Sequence, residues 1–311
     1  MQSNSHLLNT FKSISRISAI IVISIGGIVL FGWAFNIAVF KSISPNLPMM
    51  MSNTAICFIL SGISLLLLQE KSSLSLQGEA LPPVIARTLN EEKRTKQSNN
   101  GFATLPSAAR TDKRKLVAKF CSIIVLLIGT LTLIEYIFKM NLGIDGLIFK
   151  DAETPEISYA GRMSPQTAIS FIFLGISLLL LDYKIKGFYP AHLFSAFISL
   201  FSISSIIGYT YGIPALYSIS YYTGMALHSA AGFLIISLGI FSARPDYGIM
   251  SIISSNSSGG YISRRLIPVS IILPYVLGLL RLQSQRAGFF YSTEFGVFLL
   301  VFSNIIILMN N

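Results

Sequence analysis

Long apolar blocks separated by short polar segments limit the fold of this chain more than any other feature of its sequence. We place eight such blocks at residues 20–40, 47–68, 117–138, 165–181, 191–209, 225–241, 266–280 and 289–308. Each is close to the length a helix needs to cross roughly 30 Å of hydrocarbon. Only 12% of the residues are charged, against about 25% in a soluble domain. The sequence predicts an all-α polytopic membrane bundle of about eight transmembrane helices.

The distribution of Lys and Arg predicts the orientation of the chain. Loops that stay in the cytoplasm are rich in these residues, and a cytoplasmic N-terminus places 17 of the 23 on that side. Eight spans then bring the C-terminus to the same side. The net charge of +10 is explained by contact with anionic lipid headgroups, and no nucleic-acid partner is expected. The opposite side keeps Lys41, Lys139, Lys150, Arg162, Arg281 and Arg286.

An internal repeat predicts that the helices come in pairs. Residues 50–69 (MMSNTAICFILSGISLLLLQ) and 163–182 (MSPQTAISFIFLGISLLLLD) are identical at 13 of 20 positions without a gap. A weaker copy begins at Met225 (MALHSAAGFLIISLGIF). The small residues of this motif allow close helix packing in lipid. Alternatively, motif helices gathered around one axis would frame a shared pocket.

The repeat and the polar segments divide the chain into hairpins and connecting segments. Transmembrane hairpins are predicted at residues 1–70, 116–182, 183–245 and 266–311, with a flexible cytoplasmic insert at 71–115. The insert is either a docking or regulatory loop or a tolerated insertion. Residues 246–265 are predicted to form a cytoplasmic segment with a short helix on the membrane surface.

Ionisable residues near the outer ends of the spans are the candidate functional residues, because charge at membrane depth is costly. Glu135 and His228 are expected at similar depth, where they would bind a proton or a cation. The outer arginines would hold an anion in the same pocket. The candidate set for ligand or proton sensing is Glu135, Arg162, His228, Arg281, Arg286 and Glu294.

Each candidate also has a simpler interpretation. Glu135 precedes Lys139 by four positions, which is the favourable order for an ion pair on a helix surface. His228, close to a helix start, would make an interfacial hydrogen bond. The arginines would extend along the helix to reach the lipid headgroups.

Motifs of the common enzyme classes are missing from the sequence. It contains no P-loop, Gly-x-Ser-x-Gly or His-Glu-x-x-His pattern. Cys57 and Cys121 each lie within an apolar block and are interpreted as packing residues. We therefore expect no enzymatic activity, no cofactor and no metal site.

Five ordered segments carry a resemblance to a known family. They begin near Gly32-Trp33 and comprise SPNLPMMMSNTAICFILSGISLLLL, LIEYIFKMNLGIDGLIF, GRMSPQTAISFIFLGISLLLLD, YGIPALYSISYYTGMALHSAAGFLIISLGIFSARPD and GLLRLQSQRAGFFYSTEFG. Together they resemble the N-terminal multi-helix membrane domain of bacterial sensor histidine kinases, which also occurs with diguanylate cyclases. The resemblance implies a bacterial inner-membrane protein that feeds PAS or GAF domains and then a kinase or cyclase. This chain ends at Asn311, before any such output motif.

The expected function is that of a sensory or signal-transducing input domain without its catalytic output domain. A small-molecule transporter or channel is the main alternative, and it would need a continuous polar path across the membrane. An inactive truncated membrane remnant is the third alternative. The expected partners are the lipid bilayer, a second copy of the chain through helix packing, and a cytoplasmic signalling protein.

Overall fold

The described part of the chain is all-helical, as the sequence predicts. The computed structural model describes residues 5–44, 47–69, 107–146, 149, 161–185, 188–218, 224–255 and 257–286. The helices are α1 (Ser5–Ala34), α2 (Ala38–Lys41), α3 (Ser52–Leu68), α4 (Ser107–Phe138), α5 (Pro165–Leu179), α6 (Pro190–Tyr211), α7 (Leu227–Ala243), α8 (Gly248–Ile253) and α9 (Ser258–Arg286). A 3-10 turn at Pro214–Leu216 follows α6.

Four described helices are long and apolar enough to cross a membrane. The candidate spans are Leu7–Ala34, Asp112–Phe138, Pro190–Tyr211 and Ser258–Ser284. Helices α3, α5 and α7 are also apolar, but with 17, 15 and 17 residues they are only about 22–25 Å long. These helices indicate a membrane protein, while the number of eight crossings stays a prediction. The eighth apolar block, 289–308, lies outside the described residues.

Several predicted boundaries are corrected by the helices. The first predicted span was 20–40, but α1 runs from Ser5 to Ala34 and the chain then turns at Asn36, whose φ is 54°. Residues 107–115, placed in the polar insert, are the first turns of α4. The short helix expected within 246–265 is α8, but α9 already begins at Ser258. Arg264 and Arg265 therefore lie inside α9 and do not precede it.

Six of the described helices form the bundle. The flanking helices α1, α4 and α6 pack against the motif helices α3, α5 and α7 that follow them in the chain. Each flanking helix also packs against a second motif helix: α1 against α7, α4 against α3, and α6 against α5. The motif helices in turn contact one another. The same packing relation thus occurs three times around one axis.

Three phenylalanines close the centre of the bundle. Phe58, Phe171 and Phe233 hold the same position in the three motif copies and are fully buried. Their ring centroids are 5.1, 4.7 and 4.7 Å apart, which is within the range of attractive aromatic packing. Equivalent motif positions therefore meet at the axis, as expected if motif helices gather around it.

An aromatic residue near the end of each flanking helix anchors the start of the following motif. In all three cases its polar atom donates a hydrogen bond to the carbonyl oxygen of the first motif methionine. The pairs are Trp33 Nε1 with Met50 (2.9 Å), Tyr136 Oη with Met163 (2.9 Å) and Tyr209 Oη with Met225 (2.5 Å). The donors are one tryptophan and two tyrosines, and their separations from the methionines along the chain differ. Alignment of the repeats therefore does not reveal these hydrogen bonds.

Close backbone approach links the flanking and motif helices in two pairs. A Cβ atom added to Gly26 would lie 2.6 Å from the carbonyl oxygen of Ala55, and one added to Gly129 would lie 2.8 Å from that of Ala168. Both alanines hold the same motif position. Packing of this kind through small residues is typical of helices in lipid.

Candidate functional site

A buried arginine with two carboxylate partners lies where α5 begins. The side chain of Arg162 is only 1% exposed. Its Nε atom lies 2.7 Å from Asp145 Oδ2 and 3.3 Å from Glu135 Oε2, and its Nη2 donates to the carbonyl oxygen of Met140 at 3.2 Å. We call Glu135, Asp145 and Arg162 the buried ion cluster.

The end of α4 places both acids beside the arginine. Glu135 lies in the last turn of α4, and its Oε1 accepts a hydrogen bond from the backbone N–H of Leu142 at 2.7 Å. This contact ties the loop back onto the helix that it leaves. Lys139, just after the helix, adopts the left-handed conformation with φ 50°, which reverses the chain and brings Asp145 toward Arg162.

A glycine and an asparagine complete the surroundings of Asp145. Gly161 has φ 78°, and a Cβ at this position would lie 3.2 Å from the Asp145 carbonyl oxygen. Glycine therefore permits both the turn and the close approach before Arg162. From the motif helix α3, Asn53 Nδ2 lies 3.5 Å from Asp145 Oδ1. The cluster thus joins α4, its following loop, α5 and α3.

The cluster holds one more acid than base when all three groups are ionised. A buried charge is costly unless it is paired, so the second carboxylate favours neutralisation by a proton or a small cation. The face of the Tyr136 ring lies 5.2 Å from the Arg162 guanidinium, and this contact stabilises the positive charge. The described residues contain no group of three or more His, Cys, Asp or Glu that could hold a metal ion.

Two of the predicted site residues, Glu135 and Arg162, are brought together. The surface ion pair of Glu135 with Lys139 was an alternative, but Glu135 is fully buried and faces Arg162, whereas Lys139 is exposed. Arg162 is likewise buried inside the protein and does not lie on its surface. Its guanidinium is committed to carboxylates, which leaves the predicted anion-holding role without support at this position.

The other predicted residues do not join the cluster. Both ring nitrogens of His228 are buried without a hydrogen-bond partner among the described residues, so the expected interfacial hydrogen bond is also missing there. Arg281 is exposed on α9, which packs on α8 and α6. Arg286 is the last residue of α9, and its side chain is outside the description. Glu294 lies beyond the described residues.

Asp145 and Asn53 were missed by the sequence reasoning. Asn53 holds the motif position that Gln166 and His228 occupy in the other copies, so the alignment of the repeats was a usable signal. Gln166 Nε2 also makes a polar contact outside its own helix, to Ser205 Oγ at 3.1 Å. No comparable signal marks Asp145, because only the folded loop brings it to Arg162.

A small cavity lies beside the cluster, between the starts of the motif helices. Its lining includes Thr54, Thr167 and Ser229, which hold one position in the three motif copies, together with Arg162. Its volume is about 10 Å³, close to the minimum for one water molecule. The motif helices therefore frame a shared pocket, as one interpretation of the repeat predicted, but the pocket has no room for a larger ligand.

Comparison with known proteins adds no further assignment: no family model, no curated protein and no solved structure matches this chain.

Proposed function

We propose that this chain is the sensory input domain of a bacterial membrane signalling protein of the sensor histidine kinase type. The observation that carries the proposal is the buried ion cluster, which joins four elements and has an unbalanced carboxylate. The stimulus is a proton or a small cation that neutralises this excess acid. The predicted orientation, with both chain ends in the cytoplasm, belongs to the same proposal.

Neutralisation of the cluster changes the forces between helices. Glu135 belongs to α4, Arg162 precedes α5, and Asn53 links Asp145 to α3. In a site from which water is excluded, a change of one charge alters the attraction between ionic groups far more than at an exposed surface. Binding or release of a proton therefore shifts α3 and α5 relative to α4, and the helices carry that shift to the other side of the membrane.

The closed centre of the bundle supports a sensor over a transporter. A transporter or channel needs a polar path, but Phe58, Phe171 and Phe233 fill the axis with apolar rings. The recurring packing of flanking and motif helices supports an architecture of repeated hairpins. In such an architecture, equivalent helices can shift together without opening a pore.

A fusion of the full chain to the catalytic core of a histidine kinase tests the sensor proposal. Autophosphorylation is measured in membranes across a pH series and with added cations. We expect Glu135→Gln and Asp145→Asn each to abolish the response, because each removes the excess acid. Lys139→Gln is the matched control, since this exposed residue lies close to Glu135 in the chain, and it should respond like the wild type.

Two further results would contradict the proposal. If Glu135→Gln and Asp145→Asn leave the response intact, the stimulus acts elsewhere, and His228→Ala then tests the remaining predicted site. Substrate-dependent flux through the unmodified chain in proteoliposomes would favour the transporter instead. Phe171→Ala is the matched variant for that assay, because it opens the apolar centre without altering the ion cluster.

A further inference from the structure

The opposite end of the bundle contains a much larger cavity, of about 300 Å³. It lies where the motif helices end, and we call it the basic cavity. Four cationic side chains and two acids line it, which gives a formal net charge of +2 (four minus two). The charged lining residues are Lys12, Arg16, Lys115, Arg244, Asp182 and Asp246.

All three helix pairs contribute to this cavity. Gln69, Asp182 and Arg244 hold the same position at the end of the three motif copies. Arg244 is the central residue, because its Nη2 donates to Asp182 Oδ1 at 2.5 Å and to the Leu68 carbonyl oxygen at 2.9 Å. From α1, Arg16 Nε donates to Gln69 Oε1 at 3.1 Å. The cavity wall is thus held together by contacts between helices.

The positive charge of the cavity is only partly neutralised. Asp182 is shared between Arg244 and Lys115, whose Nζ lies 3.9 Å from Asp182 Oδ2. Arg16 faces a neutral amide. Lys12 makes no ion pair with any residue that the structure describes. Unbalanced cations around one cavity favour an anionic ligand over an empty site.

We propose that the basic cavity binds a phosphate group of an anionic ligand. Guanidinium and ammonium groups are the side chains that proteins use most for phosphate, and 300 Å³ is within the range of small-ligand pockets. Lys12 and Lys115 lie near the beginning of the candidate spans Leu7–Ala34 and Asp112–Phe138, which is the depth of lipid headgroups. The phosphate belongs either to an anionic phospholipid or to a water-soluble phosphate compound.

The bound phosphate bridges the helix pairs at this end. It contacts cations from α1, from α4 and from the segment after α7, so its presence fixes the relative positions of these elements. Beside Lys115, the exposed Leu116 and Val117 provide an apolar surface for the acyl chain of a phospholipid. This site is independent of the buried ion cluster and does not rest on the proposed function.

Two binding measurements on the purified full chain separate the two sources of phosphate. Native mass spectrometry in a neutral detergent measures how many molecules of phosphatidylglycerol bind as this lipid is titrated. The same titration with phosphatidylcholine is the comparison. In parallel, the shift of the thermal unfolding midpoint is measured with inorganic phosphate at constant ionic strength. Preference for phosphatidylglycerol supports the lipid source, and a midpoint shift with phosphate supports the soluble source.

Charge variants test the site itself. The double variant Lys12→Gln/Lys115→Gln should weaken binding of the active probe about 30-fold, the equivalent of about 1 kcal/mol for each lysine. Asp246→Asn should strengthen binding several-fold, because it removes an acid that has no partner among the described residues. A gain of affinity is a result that misfolding does not produce.

The matched control is Lys119→Gln/Lys184→Gln. These lysines are exposed near the same end, where they lie over the rings of Tyr183 and Tyr189, but they do not line the cavity. Binding by this control should stay within about twofold of the wild type. An equal loss in both double variants would overturn the proposal, because it would indicate general surface attraction. Failure of the wild type to bind either probe would overturn it as well.

Discussion

Each end of the bundle pairs an arginine with acidic side chains, two at Arg162 and one at Arg244, but the two ends differ in their contact with water. At the buried ion cluster, the side chains of Arg162, Glu135 and Asp145 are 1%, 0% and 7% exposed. At the basic cavity, the side chains of Arg244 and Asp182 are 11% and 40% exposed, beside a space of about 300 Å³. The same type of ion pair is thus enclosed at one end and open at the other.

This difference in exposure determines how each group of charges can respond to a ligand. In an enclosed site each ion depends on its partners, because water cannot replace a lost contact. In an open site water and salt ions screen the pair, so a ligand can compete for the same side chains at small cost. The enclosed end is therefore suited to respond to a single charge, and the open end to exchange an anion.

Of the substitutions proposed here, replacement of each arginine should give the largest difference in unfolding free energy between the two ends. Arg162→Leu leaves two carboxylates buried without their cation and should lower the free energy of unfolding by about 3–5 kcal/mol. Arg244→Leu should cost only about 1–2 kcal/mol. Equilibrium unfolding in bicelles measures both values. If both variants lower the free energy of unfolding equally, burial of the ion pair does not determine how much it contributes to stability.

Close helix packing between the two ends is tested by two neighbouring glycines. Gly26→Ala places a Cβ against the Ala55 carbonyl oxygen and should cost about 1–3 kcal/mol through overpacking. Gly27→Ala is the matched control. Among the described residues, no atom lies within 4 Å of its added Cβ apart from its chain neighbours and its own helix backbone. This variant should be neutral or stabilising by up to about 1 kcal/mol through helix propensity. The same unfolding assay applies, and a harmless Gly26→Ala would contradict the close approach.

The hydrogen bonds to the motif methionines should contribute less. Tyr136→Phe and Tyr209→Phe each remove one bond to a carbonyl oxygen, for which about 0.6 kcal/mol is typical inside a membrane. The two variants should lower the free energy of unfolding by similar amounts. In Tyr136→Phe the aromatic ring that lies over Arg162 is kept, so this variant loses only its hydroxyl contact. A much larger loss for Tyr136→Phe would mean that its hydroxyl also supports the buried ion cluster.

Salt dependence gives the smallest effect and the most direct comparison. Asp182→Asn at the open end should cost about 0–1 kcal/mol at low salt and almost nothing in 1 M NaCl, because exposed pairs are screened. At the enclosed end, the change in the free energy of unfolding caused by Asp145→Asn should be nearly the same at both salt concentrations. Unfolding at both salt concentrations measures these values, and a salt-sensitive Asp145→Asn would argue that water reaches the cluster.

The all-helical class followed from sequence patterns. Glu135 and Arg162 were both singled out as ionisable residues, but the sequence did not predict that they pair with each other. Apolar blocks and an aligned repeat depend on local order along the chain, and both are visible without a structure. The partnership of Arg162 with Asp145 was not predicted, because it depends on the turn at Lys139 and the approach at Gly161. His228 was singled out for its residue type, while Asn53 at the same motif position makes the contact with Asp145.

By itself the sequence determined that the chain is helical, apolar and internally repeated, since these properties follow from composition and from the similarity of nearby segments. Only the tertiary structure decided that Phe58, Phe171 and Phe233 meet, that the carboxylates enclose Arg162, and that the opposite cations surround an open cavity. The physical reason is that burial is a property of neighbours. An arginine is enclosed or open according to loops and helices that lie far from it in the chain.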